Sequence, residues 1–161
     1  MSSNEEKSRG MQLWVDADAC PRAVKEIIYR AAGRVQVQTT FVANSNLTLP
    51  RSEFLHFLKV GAGFDVADHE IARRIQPGDL VITADIPLAA DVIEAGGYAL
   101  NPRGTFYTVE NVKAALSMRN FMDELRGAGT PTGGPPAFSH ADRTAFANQL
   151  DRFLTRHQAG R

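Results

Sequence analysis

Twice in this chain a short apolar run ends at an acid. Met11 to Val15 (MQLWV) stops at Asp16, and Asp79 to Thr83 (DLVIT) is followed two residues later by Asp85. Runs this short and this apolar, set between helical patterns, read as strands buried on both faces of a sheet. In an open parallel sheet the ligand crevice lies beyond the C-terminal ends of the strands. A fold that aligns the two runs therefore brings acids from both to one rim.

The rest of the pattern supplies the helices such a sheet needs. Pro21 suits a first helical turn, and Ala23, Val24, Ile27, Ile28, Ala31 and Ala32 follow at helical spacing, with Gly33 as the candidate C-cap. Residues 35–42 alternate like a strand, 44–50 read as loop, and Phe54 to Val60 reads as a strand ended by Gly61 and Gly63. Asp65 to Ile75 is helical. Pro77-Gly78 is a turn, which makes Asp79 a turn residue. Pro87 opens a helix carrying Leu88, Val92 and Ile93, Tyr98 to Leu100 is a short strand, and Asn101-Pro102-Arg103-Gly104 is a turn. A long helix runs from Thr108 or Val109 to about Arg126 with Val112, Ala115, Leu116, Met122 and Leu125 as its apolar stripe. Residues 127–137 (GAGTPTGGPPA) read either as a flexible linker or as an ordered active-site loop. Ser139 and Asp142 resemble a capping box, and the last helix must bury Phe146, Leu150, Phe153 and Leu154 by docking on the main body.

This alternation predicts an α/β fold: a mostly parallel sheet of about four or five strands sandwiched by helices, with a docked C-terminal helix. The chain has 161 residues, the size of one domain. We place that domain at 11–155, after a disordered polar extension at 1–10 and before a flexible tail at 156–161.

The acids suggest the chemistry. Asp16 and Asp18 follow the first strand, Asp85 follows the later one, and Asp65, Asp68 and Glu70 lie between. Each has a plainer use: Asp16 or Asp18 as a cap for the helix near Pro21, Asp85 as a cap for the helix at Pro87, Asp65 as a cap for its own helix. Asp68 is the inward-facing candidate of that helix, and Asp91 and Glu94 read as a solvated face. Carboxylates crowded into one crevice stay ionised together only around a cation. Oxygen-only ligands suit Mg²⁺ or Mn²⁺, ions that activate water for phosphoryl displacement.

Among other candidates, Arg103 lies in a turn near the same rim and Arg119 shares a helix face with Arg126, so both Arg103 and Arg119 are candidate phosphate ligands. Thr83 is placed to orient a carboxylate, Lys59 to neutralise the acids, and His69 lies beside Asp68. Cys20 is the single cysteine, which excludes an internal disulfide and a cysteine zinc site. It reads as a small buried hydrophobe, and Trp14 as core. No GxGxxG or GxxxxGK[ST] loop is present, and no apolar run approaches the roughly 20 residues of a membrane span. With no signal-like N-terminus, a cytoplasmic protein is expected. Lys plus Arg and Asp plus Glu are 18 each, which argues against a polycation. The balance is uneven: residues 1–100 hold 10 bases and 13 acids, residues 101–161 hold 8 and 5. Bases for phosphate are therefore expected from the C-terminal part.

Five motifs, VDADACP (15–21), GFDVAD (63–68), DLVITADIPLA (79–89), NPRG (101–104) and TGGP (132–135), together resemble the YaiI/YqxD family of bacterial proteins over roughly residues 11–155. That family is grouped with PIN-like domains, many of which are metal-dependent ribonucleases. The resemblance implies that Asp16 matches the first-strand acid, Asp68 the helix acid and Asp85 the Thr-x-Asp acid, with Asp18 as an added acid of the VDADACP motif. One departure is that Ile86-Pro87-Leu88 follow Asp85, where PIN domains often present a fourth acid. The expected function is RNA phosphodiester hydrolysis with Mg²⁺ or Mn²⁺ held by Asp16, Asp18, Asp68 and Asp85, and phosphate met by Arg103 and Arg119. Two alternatives stand beside it. One is a phosphatase of the haloacid-dehalogenase type with Asp16 as nucleophile, whose motif departs at Cys20. The other is a non-catalytic nucleic-acid-binding or interaction module on the same fold.

Overall fold

The computed structural model describes residues 10–63, 65–133 and 136–158. The expected extension at residues 1–9 and the end of the expected tail, residues 159–161, lie outside them. Five strands form one sheet: β1 Leu13–Asp16, β2 Thr39–Ala43, β3 Leu55–Lys59, β4 Leu80–Ile82 and β5 Tyr98–Leu100. The order is β3-β2-β1-β4-β5, and every pair is parallel. The helices are α1 Arg22–Val35, α2 Val66–Arg74, α3 Ile86–Glu94, α4 Val109–Gly127 and α5 His140–Gln158. A short 3₁₀ turn, Ala17–Ala19, links β1 to α1.

A parallel sheet must be covered on both faces, and the strand residues sort accordingly. Leu13, Val15, Phe41 and Ile82 face α1 and α5, where Phe146, Leu150, Phe153 and Leu154 bury the stripe read from the sequence. Trp14, Val42 and Val81 face α2, α3 and the start of α4. The chain builds β1, β2 and β3 to one side, then crosses to β4 on the other side of β1. The switch point between β1 and β4 is where such sheets open a crevice.

Several local expectations are corrected. Gly33 does not end its helix. α1 continues to Val35, and Gln36 closes it in the left-handed conformation (φ 57°), so β2 starts at Thr39 rather than Val35. Asp79 is a fully buried acceptor instead of a turn residue on the surface. It takes hydrogen bonds from the Gln12 N–H, the Trp14 indole Nε1–H and the Gln76 N–H, each at 3.0 Å, and so ties β1 to the turn before β4. The long α4 buries only Val112 of its expected stripe; Met118 and Phe121 are 58% and 54% exposed. The capping box of α5 is present, with the Ser139 N–H donating to Asp142 and the Asp142 N–H to Ser139. α5 extends through residue 158.

The NPRG turn turns out to be a clamp. Gly104 (φ +92°) lies so close to α5 that a Cβ there would meet the Ala145 carbonyl carbon at 2.6 Å. The neighbouring Arg103 guanidinium donates to Asp142 at 2.7 Å and to the Pro136 carbonyl. In the structure Arg103 ties the turn to α5 through Asp142 and to the Pro136 carbonyl. Through that same contact Pro136, near the end of the Gly/Pro-rich segment, is tied back to the domain. No helix of the described residues is long and apolar enough to cross a membrane.

Candidate metal centre at the sheet switch point

Each acid reaches the crevice for a local reason. Asp16 ends β1, is only 8% exposed, and accepts the Thr83 hydroxyl at 2.9 Å. Thr83, just past β4, also accepts the Asp85 N–H at 2.9 Å, so one hydroxyl fixes the ends of both central strands relative to each other. Asp85 is at once a cap and a site residue. One of its oxygens accepts the Leu88 N–H at 2.8 Å, and Pro87 in the first turn needs no such partner. Asp68 comes from the first turn of α2. Neither Asp16 nor Asp18 caps a helix through its side chain.

Asp65 departs from expectation. It makes no side-chain cap, and its left-handed backbone (φ 64°), a region Asp tolerates better than most residues, delivers its carboxylate to the crevice. Carboxylate oxygens of Asp65, Asp68 and Asp85 all lie within 4.8 Å of one another. The surrounding crevice, about 420 Å³, is lined by Asp16, Asp18, Asn44, Asp65, Asp68 and Asp85 among others. Asp18 is held to one side, accepting the Asn44 N–H at 2.7 Å and the Ser45 hydroxyl at 2.6 Å. Lys59 does not neutralise the acids; it donates to Asn46.

The electrostatics follow the crowding. Burial first, then the charges of Asp16 and Asp85, push the Asp68 carboxyl up to about 8, and hydrogen bonds of its protonated form with Asp85 and Asp65 add to the rise. Asp16 is also raised, by burial first; the Thr83 hydrogen bond works the other way, and the charges of Asp85 and Asp18 add to the rise. At Asp18 burial is outweighed by the hydrogen bonds from Ser45 and Asn44 and by the charge of Lys25, so this acid is lowered. The crevice thus holds more negative charge than its own protein surroundings satisfy.

A second hollow of about 70 Å³ opens on the other side of Asp68 and Asp85, and Arg119 of α4 and His69 line it. Arg119 therefore lies beside Asp68 and Asp85, with an ion pair to Asp123 at 4.0 Å. Arg126 pairs with Asp123 further along the helix. Asn44 and Ser45 are crevice-side residues that the sequence reading did not mark, and Asp65 is one that it marked as a helix cap. The polar run Asn44-Ser45-Asn46 directly after an apolar strand was the available signal for the first two.

The family model described as "Uncharacterized BCR, YaiI/YqxD family" matches residues 14–156. The chain belongs to the YaiI/YqxD family. A UPF0178 protein of Janthinobacterium sp. (strain Marseille) is 61% identical over 149 residues, covering 92% of this chain and 99% of that one. A second, from Herminiimonas arsenicoxydans, is 62% identical over 146 residues, 91% of this chain and 98% of its own. A third, from Hydrogenovibrio crunogenus, is 58% identical over 147 residues, 91% and 97% respectively. No solved structure matches. The YaiI/YqxD match spans both strand-end acids, α2 and the clamp on α5, so the crevice and its supports lie within the family's region.

Proposed function

We propose that this member of the YaiI/YqxD family is a divalent-metal-dependent nuclease that hydrolyses RNA phosphodiesters at the β1–β4 rim. The observation that carries the reading is the convergence of Asp65, Asp68 and Asp85 within 4.8 Å, beside buried Asp16. Four carboxylates and no nitrogen or sulfur ligand make a hard oxygen donor set that suits Mg²⁺ or Mn²⁺. Burial first, and the neighbouring carboxylates after it, raise Asp68 and Asp16, and a cation in the crevice would offset the second of these.

Asp16, Asp68 and Asp85 would hold the ion, with Asp65 completing the set and Asp18 at the edge. Such an ion supplies an activated water and charge stabilisation on the phosphoryl oxygens. The chain's own contributions are positional. Thr83 keeps Asp16 aimed into the crevice, the α3 cap fixes one Asp85 oxygen and leaves the other free, and Arg119 offers a cation to the phosphate from the far wall.

The phosphatase alternative draws less support. Its nucleophile, Asp16, has one oxygen bound to Thr83, and both oxygens of Asp18, the second acid of its motif, are engaged by Asn44 and Ser45. Purified protein with Mn²⁺ is expected to cleave single-stranded RNA, and Asp85→Asn and Asp68→Asn to abolish cleavage. Intact RNA across several divalent metals would sink the proposal, and turnover of a generic phosphomonoester without RNA cleavage would transfer it to the phosphatase. Failure to bind Mn²⁺ at millimolar concentration would leave the non-catalytic module.

A further inference from the structure

The strand connection from β2 to β3 has no helix. Parallel neighbours are usually joined by a helical crossover that covers the sheet. Here residues 44–54 cross as an extended loop, and a furrow remains between that loop and α1. Two hollows, about 650 and 490 Å³, share Glu26, Tyr29 and Pro50 and so form one groove. It starts at Arg22, the first residue of α1 and four positions after Asp18 of the acidic crevice, and follows the helix to Arg34 in its last turn.

The groove is basic where the crevice is acidic. Arg22, Lys25, Arg30, Arg34 and Arg51 line it against one acid, Glu26. Arg22 is engaged by Glu26 and Arg34 by Asp151. Among the described residues, Lys25, Arg30 and Arg51 have no carboxylate within 4.0 Å. Tyr29 lies half-buried on the floor, its ring 5.3 Å from that of Phe41 and tilted by 55°, with Leu47 and Leu49 beside it. Free bases along a furrow, with an aromatic ring at its floor, are the two parts of a single-strand nucleic-acid site: charge tracks the backbone and the ring stacks a base. A 14-residue helix spans about 21 Å, enough for about six stacked nucleotides.

We propose that this groove along α1 binds single-stranded RNA and leads it toward the acidic crevice, an assignment that rests on the nuclease reading for its destination but not for its binding. On this proposal α1 and the 44–54 loop add bases for phosphate to Arg119, while the C-terminal Arg103 and Arg126 pair with Asp142 and Asp123.

The test is fluorescence anisotropy with a labelled uridine oligomer of about twelve nucleotides, in EDTA so that no metal chemistry intervenes. The wild-type chain should bind at low salt, with affinity falling steeply between about 50 and 200 mM salt. Arg30→Glu with Arg51→Glu, both exposed, should weaken binding by about tenfold or more and reduce the salt slope by about 1.4, at about 0.7 per lost phosphate contact. Tyr29→Ala should weaken it as well, and Tyr29→Phe should restore it, which a purely structural role for the hydroxyl would not give. Unchanged affinity and slope in the double variant, or no binding by the wild type, would overturn the assignment. So would an acidic peptide that displaces the strand as well as unlabelled RNA does, because that would mark a protein-docking surface. The two proposals fail separately. Asp68→Asn keeps RNA binding in EDTA if only the chemistry is wrong, and the double variant keeps its Mn²⁺ affinity in either case.

Discussion

If the crevice holds the proposed ion, binding should displace a proton from Asp68. Asp68 is pushed up to about 8 by burial and by Asp16 and Asp85, so at neutral pH the metal-free site holds its proton. A cation binds the ionised carboxylate, and its apparent dissociation constant carries the factor 1 + 10^(pKa − pH). Between pH 8 and pH 6 that factor rises from about 2 to about 100, so Mn²⁺ affinity should fall about 50-fold. Proton release should be about 0.9 per ion at pH 7 and about 0.5 at pH 8. Asp16, also raised, steepens the curve in the same direction. Titration calorimetry in two buffers of different ionisation enthalpy measures both quantities. Asp68→Asn should remove this pH dependence along with most of the affinity. The reasoning is refuted if wild-type affinity changes by less than about threefold from pH 6 to pH 8 with heats independent of buffer.

The remaining expectations concern stability and reactivity. Without metal, native Asp68 keeps a proton that the unfolded chain gives up, so its contribution to stability is full below about pH 4 and is lost as pH rises through about 8; melting temperature should decline over that range, and saturating Mn²⁺ should reverse the decline. Asp79→Ala strips the acceptor from three donors and should cost about 3–5 kcal/mol in urea denaturation followed by the fluorescence of Trp14, the single tryptophan. Gly104→Ala drives a methyl into the α5 backbone and should cost about 2–4 kcal/mol, whereas Arg103→Ala should cost about 1 kcal/mol and leave Mn²⁺ affinity intact, unlike the loss of a metal-site residue. Cys20, buried and pushed up to about 12, should resist alkylation in the native protein at neutral pH and react on unfolding.

What was legible beforehand is what local pattern controls. An apolar run can end at an acid only by delivering it to a sheet rim, so Asp16 and Asp85 declared themselves. Asp68 followed from helical spacing, and Phe146 to Leu154 from theirs. The misreadings share one cause: a partner far along the chain. Asp79 looks like a turn residue after Pro-Gly until β1 pairs with β4 and brings Trp14 to it, 65 positions away. Arg103 looks free until Asp142, 39 positions away, arrives on α5. Asp65 looks like a cap because Asp usually is one, and its left-handed backbone is imposed by how α2 enters. Arg30 and Arg51 carried no signal in the sequence; they line one groove because no crossover helix joins β2 to β3.

The weak attachment of α4 has a dynamic consequence. Beyond Val112 this 19-residue helix buries no residue fully, and apolar Met118 and Phe121 stand in water. Segments with so few buried contacts open locally at a fraction of the global free energy. Amide hydrogen exchange should therefore be slow through β1, β4 and the first turn of α4, and fast from about Met118 onward. Arg119 sits at that boundary. Arg119, which lines the small hollow beside Asp68 and Asp85, is thus expected to exchange faster than the strands that carry the carboxylates. Its presence at the crevice becomes a matter of occupancy in time, and a strand that engages Arg119 would be read out as slower exchange along α4.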